Sequence, residues 1–554
     1  MIAPMSATDP EPLAGAMRRR GAILLISCYE LGHQPLGIAS AAGFLERARY
    51  APDALDIAVE GLDPEKVARA RFVGISVPMH TAMRLGVRVA EQVRQRNPTC
   101  HICFYGLYAS LNAEYLLEHG ADSVIGGEFE TPLVGLVQAL DDGRPGAVEG
   151  VHRRGQLAGP FLERLPFPVP VRKGLPPLER YARLERDGVR GLVGYVEASR
   201  GCLHRCLHCP IPPVYGGRFF VIPTDSVLED IRRLVQAGAT HITFGDPDFL
   251  NGPGHSLKIV RGMHAEFPAL TFDFTAKVEH ILERRRLFPE LGALGCVFMV
   301  SAVESLSDAV LANLQKGHTR ADVFEALQVV RGVGIAFRPT WVAFTPWTTL
   351  DDYLNVLEFV EGEGLIDHVD PVQYAIRLLI PPGSMLLARP TIQPFLGPLD
   401  HASLSYRWAH PDARMDRLHR ASVRCWKRPH GRKRIPPSRF SNCATWPRRW
   451  RGGRARTAEG GKWRRGGAGH RGSPSRGSAE RNPPRASSAL SDSKRPACSS
   501  TRTQGTEGDD GTVQPVVREK RASGAKRTRS GRRGAADGCA GTGTEACPRR
   551  SVAH

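Results

Sequence analysis

ASRGCLHRCLHCPIPPVYGGR, residues 198–218, contains three cysteines within eight residues, Cys202, Cys206 and Cys209. The C-x-x-x-C-x-x-C spacing provides three thiolates, one fewer than the four that usually complete a zinc site or a cubane iron–sulfur cluster. A cluster held by three ligands keeps one coordination position open, where a further molecule can bind and react. The alternative interpretation is a Cys3His zinc site completed by His204 or His208.

This cysteine loop directly follows an apolar run, LVGYVEA at 192–198, that is typical of a buried strand. Amphipathic helical segments separate it from five later strand-like runs, which lie at 241–246, 271–276, 296–302, 336–344 and 372–379. Six βα units with right-handed crossovers predict a curved parallel sheet, a partial (β/α)6 barrel. In barrels the chemistry lies at the carboxyl ends of the strands, which is where the cysteine loop begins.

A second α/β pattern precedes the cysteine loop. Between 22 and 140, helical segments alternate with short apolar runs at 22–27, 55–59, 72–76, 101–105 and 122–126. The alternation predicts a doubly wound, flavodoxin-like parallel sheet. Ser76 ends the third run, Tyr105-Gly106 lie at the end of the fourth, and Gly126-Gly127-Glu128 lie at the end of the fifth, so we expect them on the rim where a ligand binds. The chain divides into a disordered leader (1–20), this domain (21–150), a Pro-rich linker (151–188), the barrel (189–395) and an extension (396–426).

The last part of the chain, 427–554, differs in composition from the rest. It has 31 Lys or Arg against 9 Asp or Glu, a net charge of +22, so residues 1–426 carry a net charge of −3 and the chain's excess of +19 comes from the tail. Because it has few large apolar residues, it cannot offset the entropy of ordering, and we expect a disordered basic tail. One interpretation is an Arg-rich arm for nucleic acid. We favour an out-of-frame translation of GC-rich DNA, since no basic or aromatic motif repeats, and nucleic acid is not an expected partner.

The composition also restricts the location of the protein. No run approaches the roughly 20 apolar residues of a membrane helix. The 12 cysteines are too unevenly spaced for a disulfide framework. We therefore expect a protein of the reducing cytoplasm.

The cysteine loop after the first barrel strand resembles that of the radical S-adenosylmethionine (SAM) superfamily. The resemblance implies that Cys202, Cys206 and Cys209 bind a [4Fe–4S] cluster whose fourth iron is left for SAM. It further implies that the reduced cluster cleaves SAM to a 5′-deoxyadenosyl radical, with a flavodoxin- or ferredoxin-type reductase as electron donor. Two other classes stay open, a simple iron–sulfur electron carrier and a nucleic-acid-binding protein that uses the basic tail.

The same resemblance assigns SAM contacts to three further residues. His208 precedes the third cysteine, where the superfamily usually has an aromatic residue near the adenine. Asp246, in FGDPDFLNGP at 244–253, lies where the superfamily holds the SAM amino group, often through a Gly-Gly-Glu element that is missing here, and Asp248 is the next candidate for this contact. Glu304, in SAVESLSDAVLANLQKGHT at 301–319, matches a carboxylate that accepts hydrogen bonds from the ribose hydroxyls.

The domain at 21–150, with GHQPLGIASAAGFL at 32–45, resembles the cobalamin-binding domain found ahead of many radical SAM enzymes. Its D-x-H-x-x-G motif, which supplies an axial histidine, is missing, because residues 30–35 read ELGHQP. Two options follow: cobalamin bound without a protein imidazole, or a domain that has lost the cofactor. The first implies radical methyl transfer and the second hydrogen abstraction. The chain is most similar to a group that ends in a Cys-rich Ala-Glu-Pro tail, and the departure after residue 426 agrees with a frame error.

Overall fold

The computed structural model describes residues 15–144, 146–186, 188–426 and 516–519. Its two main sheets correspond to the two α/β patterns of the sequence. Apart from the strand at 516–519, the predicted basic tail lies outside the described residues. No helix in the described ranges is long and apolar enough to cross a membrane.

The N-terminal sheet has the order β2-β1-β3-β4-β5-β6. Its strands are β1 (Ile23–Ser27), β2 (Asp53–Asp56), β3 (Phe72–Ser76), β4 (His101–Tyr105), β5 (Ser123–Ile125) and β6 (Val151–His152). The first five are parallel, and β6 is antiparallel to β5. This order is that of flavodoxin-like folds, and the complete burial of β1 and β3 explains their continuous apolar sequences. The predicted doubly wound sheet is confirmed.

Six helices cover the two faces of this sheet. They are α1 (Leu36–Arg47), α2 (Pro64–Arg69), α3 (His80–Arg96), α4 (Leu107–Leu111), α5 (Ala113–Glu118) and α6 (Glu130–Asp141). The sequence before helix α2 explains why the helix begins there. The Asp63 side chain caps the helix by accepting hydrogen bonds from the first-turn N–H groups, and Pro64 has its φ angle already restricted to the helical range. Since α1, α3, α4 and α6 each follow a parallel strand, they begin at the carboxyl edge of the sheet.

The second sheet forms the partial barrel. Its strands and the hairpins around it are β7 (Arg183–Arg186), β8 (Val189–Val196), β9 (Ser199–Gly201), β10 (Phe219–Val221), β11 (Ala239–Phe244), β12 (Thr271–Thr275), β13 (Cys296–Glu304), β14 (Ala336–Trp341), β15 (Leu396–Asp400), β16 (Ser405–Trp408) and β17 (Val516–Glu519). The sheet order is β14-β13-β12-β11-β8-β7-β17. Strands β8 and β11 to β14 are parallel, and β7 is antiparallel to β8.

Nine α-helices belong to this half in the described residues. They are α7 (Ile211–Tyr215), α8 (Thr224–Gln236), α9 (Pro253–Glu266), α10 (Val278–Glu283), α11 (Phe288–Ala293), α12 (Asp308–Leu314), α13 (Arg320–Gly332), α14 (Leu350–Gly362) and α15 (Ala413–Trp426). Helices α13 and α14 both begin with a capping box, Thr319 with Asp322 and Thr349 with Asp352. Each box satisfies N–H groups that would otherwise have no partner in the first turn.

Strand periodicity divides the barrel side chains between an outer core and the lumen. Phe272, Phe337 and Trp341 are buried against the helices, and Trp341 packs edge-on against Phe359 of α14 at 5.9 Å. Because side chains alternate along a strand, Arg338 points the other way, where its guanidinium lies 5.2 Å from the ring of Phe298. Strand periodicity in the sequence cannot show which face of β14 is inside the barrel. The packing shows that Arg338 faces the lumen and Trp341 faces the helices.

Two expectations need correction. The sixth predicted barrel strand, 372–379, forms the 3-10 helix Pro371–Ala375 and then a single parallel bridge between Arg377 and Phe344. Asp370 caps that helix by accepting from the Val372 N–H, and Pro371 presets its first residue, so local turn chemistry overrides the apolar run. The disordered leader is also wrong for residues 15–20, since the buried Met17 donates its N–H to Asp141 Oδ1 at 2.8 Å. Residues 1–14 lie outside the described residues.

Candidate active site

A short two-stranded antiparallel ladder closes the base of the cysteine loop. Strands β9 and β10 pair antiparallel, with Gly201 opposite Phe219, and the Cys202 N–H donates to the Arg218 carbonyl at 3.1 Å. Gly201 has a φ of 76°, and a Cβ there would lie 2.4 Å from the Arg218 oxygen. Only glycine fits this position, because both the backbone conformation and the close approach exclude a side chain.

The three cysteines of this loop are free thiols in a low-dielectric environment. Cys202 and Cys206 are buried, and Cys209 is partly exposed. Burial raises the pKa of the Cys202 thiol, and burial together with the neighbouring cysteines raises that of Cys209 to about 12. A thiolate here requires a compensating cation, which the irons of a cluster supply. Three such thiolates on one pinned loop fit a [4Fe–4S] cluster with three protein ligands.

The structure brings the predicted residues His208 and Glu304 together. His208 Nε2 lies 3.2 Å from Glu304 Oε1, and the buried Lys316 Nζ lies 3.4 Å from the same oxygen. Burial alone would raise the pKa of Glu304, but Lys316 and His208 outweigh it and lower the pKa to about 2. Glu304 also has a φ of 67°, which is rare for a residue with a side chain and characteristic of functional sites. An ionised acceptor is thus fixed beside the cysteine loop.

Asp246, the other predicted SAM contact, holds the start of the loop. Its carboxylate accepts from the Ala198 N–H at 2.8 Å and the Ser199 Oγ at 2.5 Å, and the residue is buried. Burial raises its pKa to about 7. The side chain therefore fixes the point at which β8 turns into the cysteine loop.

The predicted cobalamin rim lies at the carboxyl edge of the N-terminal sheet. Ser76 ends β3, and Gly37 at the start of α1 comes so close that a Cβ there would lie 2.6 Å from Ser76 Oγ. Gly106 follows β4 with a φ of 109°, a conformation that favours glycine, and glycine places no side chain at this edge. Gly127 follows β5, but the linker covers it, since a Cβ there would lie 2.2 Å from the Phe161 oxygen. Ser76 and Gly106 thus form the part of the rim that fits a cofactor.

His33, the histidine in the loop after β1, is engaged with the barrel. Its ring stacks on Tyr195 of β8, with 4.7 Å between centroids and 19° between planes. Burial lowers its pKa to about 4, so the ring is neutral at pH 7. This contact joins the loop that lacks the D-x-H-x-x-G motif to the lumen side of the barrel.

A buried charge network connects the cobalamin rim to the cysteine loop. Arg200, two residues before Cys202, has its Nη1 2.6 Å from Glu130 Oε1 and 3.8 Å from Glu128 Oε2, and its Nε lies 2.7 Å from Glu197 Oε2. Glu128 and Glu130 have no exposed surface. Tyr215 of α7 donates to Glu128 Oε1 at 2.9 Å. The two halves therefore meet through charge-assisted hydrogen bonds at the place where the cysteine loop begins.

Deeper in the lumen, the polar side chains pair with one another. His241 Nε2 and Thr243 Oγ1 contact Asp273 Oδ2 at 2.8 and 2.6 Å, and His241 Nδ1 lies 2.8 Å from Thr271 Oγ1. These side chains therefore form hydrogen bonds with one another. The groups open to chemistry are consequently those at the carboxyl ends of the strands.

Comparison with protein families agrees with this geometry. Residues 196–358 match the radical SAM superfamily, and residues 22–137 match the B12 binding domain. The chain combines a radical SAM domain with a B12-binding domain. The superfamily uses a [4Fe–4S] cluster and SAM, and domains of the second kind bind cobalamin, so the resemblance found in the sequence is confirmed.

Several known proteins are similar to this radical SAM protein. The hopanoid C-3 methylase of Methylococcus capsulatus is 26% identical over 57% of the chain and 62% of the relative. An uncharacterized methyltransferase of Pyrococcus horikoshii is 23% identical over 59% of the chain and 73% of the relative. The chain thus spans about three fifths of the hopanoid methylase.

Two solved structures share its fold. The cobalamin-dependent SAM radical enzyme OxsB, with aqua-cobalamin and SAM bound, has a TM-score of 0.57 at 16% identity, over 77% of this chain and 70% of OxsB. The radical SAM methyltransferase TsrM from Kitasatospora setae has a TM-score of 0.50 at 18% identity, over 62% of this chain and 71% of TsrM. The N-terminal sheet followed by a partial barrel is therefore a known architecture.

Sequence reasoning missed part of the site of this radical SAM protein. Arg200 was not singled out, although it precedes Cys202 by two residues and the segment GGEFE at 126–130 carries the opposite charge at the other predicted rim. Lys316 was not among the predicted contacts either, yet it is buried against Glu304. The His33–Tyr195 contact left no signal in the sequence, because it joins the two halves of the molecule.

Proposed function

We propose that this radical SAM protein is a cobalamin-dependent methyltransferase that activates a carbon atom of its substrate with a 5′-deoxyadenosyl radical. The observation that carries the proposal is the network of Arg200 with Glu128 and Glu130. It holds the cobalamin rim against the beginning of the cysteine loop, so both cofactors would serve one cavity. Two relatives named as a methylase and a methyltransferase support the same reaction type.

The chain's own residues would bind and orient the cofactors. Cys202, Cys206 and Cys209 would hold the cluster as thiolates. When bound, the cluster with SAM supplies the radical and cobalamin supplies the methyl group. The ionised Glu304 would accept the ribose hydroxyls of SAM, with His208 and Lys316 keeping its oxygens in place.

The remaining predicted residues would shape the cavity. The Asp246 carboxylate accepts one hydrogen bond from the Ala198 N–H and one from the Ser199 hydroxyl, and its remaining lone pairs would be available to the SAM amino group. Ser76 and Gly106 would bound the cobalamin. The stacked His33 and Tyr195 would close the junction between the halves and exclude water from the radical.

The products of SAM test the methyltransferase. SAM used as a radical source gives 5′-deoxyadenosine and methionine, whereas SAM used as a methyl donor gives S-adenosylhomocysteine. We expect the reconstituted full chain to bind one cobalt per chain, and to form S-adenosylhomocysteine only when cobalamin is loaded. Mass spectrometry of both nucleosides, with and without hydroxocobalamin, measures this. Stoichiometric cobalt with 5′-deoxyadenosine but no S-adenosylhomocysteine would count against methyl transfer and favour a radical reaction of another type.

A further inference from the structure

Three side chains of metal-ligand type meet beside the cysteine loop, and each belongs to a different segment. His204 lies between the first two cluster cysteines, Asp248 follows β11, and His280 is on α10. One ligand atom of each lies within 4.8 Å of those of the other two. His280 Nδ1 is 2.9 Å and His204 Nε2 is 3.7 Å from the same oxygen, Asp248 Oδ2.

The two nitrogens of this His204–Asp248–His280 triad lack hydrogen-bond partners of acceptable geometry. His204 Nε2 and His280 Nδ1 are both buried, and neither makes a hydrogen bond. The His280 side chain is 7% exposed, and the Asp248 side chain has no exposed surface. Buried polar atoms are almost always partnered in proteins, so the two nitrogens that face one carboxylate oxygen need an explanation.

Polar groups surround His204 and Asp248. His204 Nδ1 lies 3.6 Å from Glu279 Oε2, which also accepts from Lys277 Nζ at 2.9 Å. The Asp248 carboxylate accepts from the N–H groups of Leu250 at 3.0 Å and Lys277 at 3.2 Å. Ligating histidines usually donate their other ring N–H to a carboxylate, and Glu279 lies on that side of His204, although at 3.6 Å the two atoms are not hydrogen-bonded.

We propose that His204 Nε2, His280 Nδ1 and Asp248 Oδ2 bind one divalent transition-metal ion, which is separate from the iron–sulfur cluster. Ligand atoms about 2.0–2.2 Å from a zinc ion lie about 3–3.5 Å from one another. The two nitrogens lie 2.9 and 3.7 Å from Asp248 Oδ2, just below and just above that range. Small side-chain rotations would therefore bring all three atoms to metal-binding distance. Two imidazoles and a carboxylate suit Zn²⁺ or Fe²⁺ and leave a further position for water.

The position of this site indicates its role. His204 belongs to the cysteine loop, whereas Asp248 and His280 belong to the barrel wall, so the ion would tie the segment between Cys202 and Cys206 to β11 and α10. The ion would therefore position the loop.

A zinc titration of the full chain tests the site without interference from the cluster. In the background Cys202→Ala/Cys206→Ala/Cys209→Ala, we expect one equivalent of Zn²⁺ to be retained against a chromophoric chelator. Adding His280→Gln should weaken that binding by at least about tenfold, as the loss of a ligand requires. His264→Gln is the matched control, because His264 Nδ1 is also buried without a partner but belongs to no ligand cluster in the described residues. Circular dichroism checks that each variant is folded.

Two results would overturn the proposal: a folded triple variant that retains no zinc, or one whose zinc binding is unchanged by His280→Gln. If the triple variant does not fold, the chain with an intact cluster replaces it. Metal analysis should then find one zinc or iron beyond the iron matched by acid-labile sulfide, and this excess should vanish in His280→Gln and persist in His264→Gln. An excess that is absent, or that persists in His280→Gln, refutes the site.

Discussion

Arg200 Nη1 lies 2.6 Å from Glu130 Oε1, and the two residues belong to opposite halves of the molecule. The arginine is 10% exposed and the glutamate not at all. Removing one partner of a buried ion pair is costly, because the other charge stays buried and unpaired. This contact therefore couples the cobalamin-binding domain to the barrel energetically as well as geometrically.

Arg200→Met should lower the free energy of unfolding by about 3–5 kcal/mol, because Glu130 and Glu128 lose their shared cation. Adding Glu130→Gln should recover part of that loss, since one uncompensated charge disappears. Urea denaturation of the single and double variants measures the coupling. Arg232→Met, which breaks the exposed pair with Glu266, is the control and should cost less than about 1 kcal/mol. Equal losses at positions 200 and 232 would contradict the buried coupling.

Gly201→Ala should abolish most cluster loading. A Cβ would lie 2.4 Å from the Arg218 oxygen, so the ladder that closes the cysteine loop cannot form unchanged. Iron and sulfide content after anaerobic reconstitution measures the effect. Gly216→Ala is matched in backbone conformation, with a φ of 60°, but its Cβ would meet nothing within 4 Å. It should keep the cluster and cost only about 1 kcal/mol of conformational strain, and a loss of iron in both variants would point to strain instead of the close approach.

Asp246 should make stability depend on pH. Its pKa in the folded state, about 7, lies above that of an unfolded aspartate, so the protonated form favours folding. This contribution is complete below about pH 4 and is lost as the pH rises through about 7. The difference in unfolding free energy between wild type and Asp246→Asn should therefore fall by about 1–3 kcal/mol between pH 5 and pH 8. A difference that stays constant over this range would show that Asp246 is ionised throughout.

Glu304→Gln should weaken SAM binding by at least about tenfold while leaving the cluster intact, if the carboxylate accepts the ribose hydroxyls, because charge-assisted hydrogen bonds are lost. Equilibrium dialysis with SAM and the absorbance of the cluster measure the two properties separately. Glu290→Gln, which removes an exposed partner of Arg261, is the control. Unchanged SAM affinity in Glu304→Gln would assign the Glu304–Lys316 pair a structural role alone.

The sequence predicted both sheets because buried parallel strands have continuous apolar runs, and it placed the three cysteines in the loop after the first parallel barrel strand, where the structure has them. It failed at 372–379, where Asp370 and Pro371 start a 3-10 helix within an apolar run. It also gave no indication that Lys316 is buried or that Arg200 reaches Glu130. Those contacts join residues far apart in the chain, and single-sequence periodicity reports only which face of its own element a residue occupies.

The most direct test is the formation of 5′-deoxyadenosine from SAM by the full chain, reconstituted anaerobically with iron and sulfide and then reduced. The account predicts product from the wild type and from Cys296→Ala, which removes a buried thiol of β13 outside the loop. It predicts none from Cys202→Ala, Cys206→Ala or Cys209→Ala. A wild-type protein with a full, reducible cluster that forms no 5′-deoxyadenosine would contradict the radical reaction and favour an iron–sulfur electron carrier.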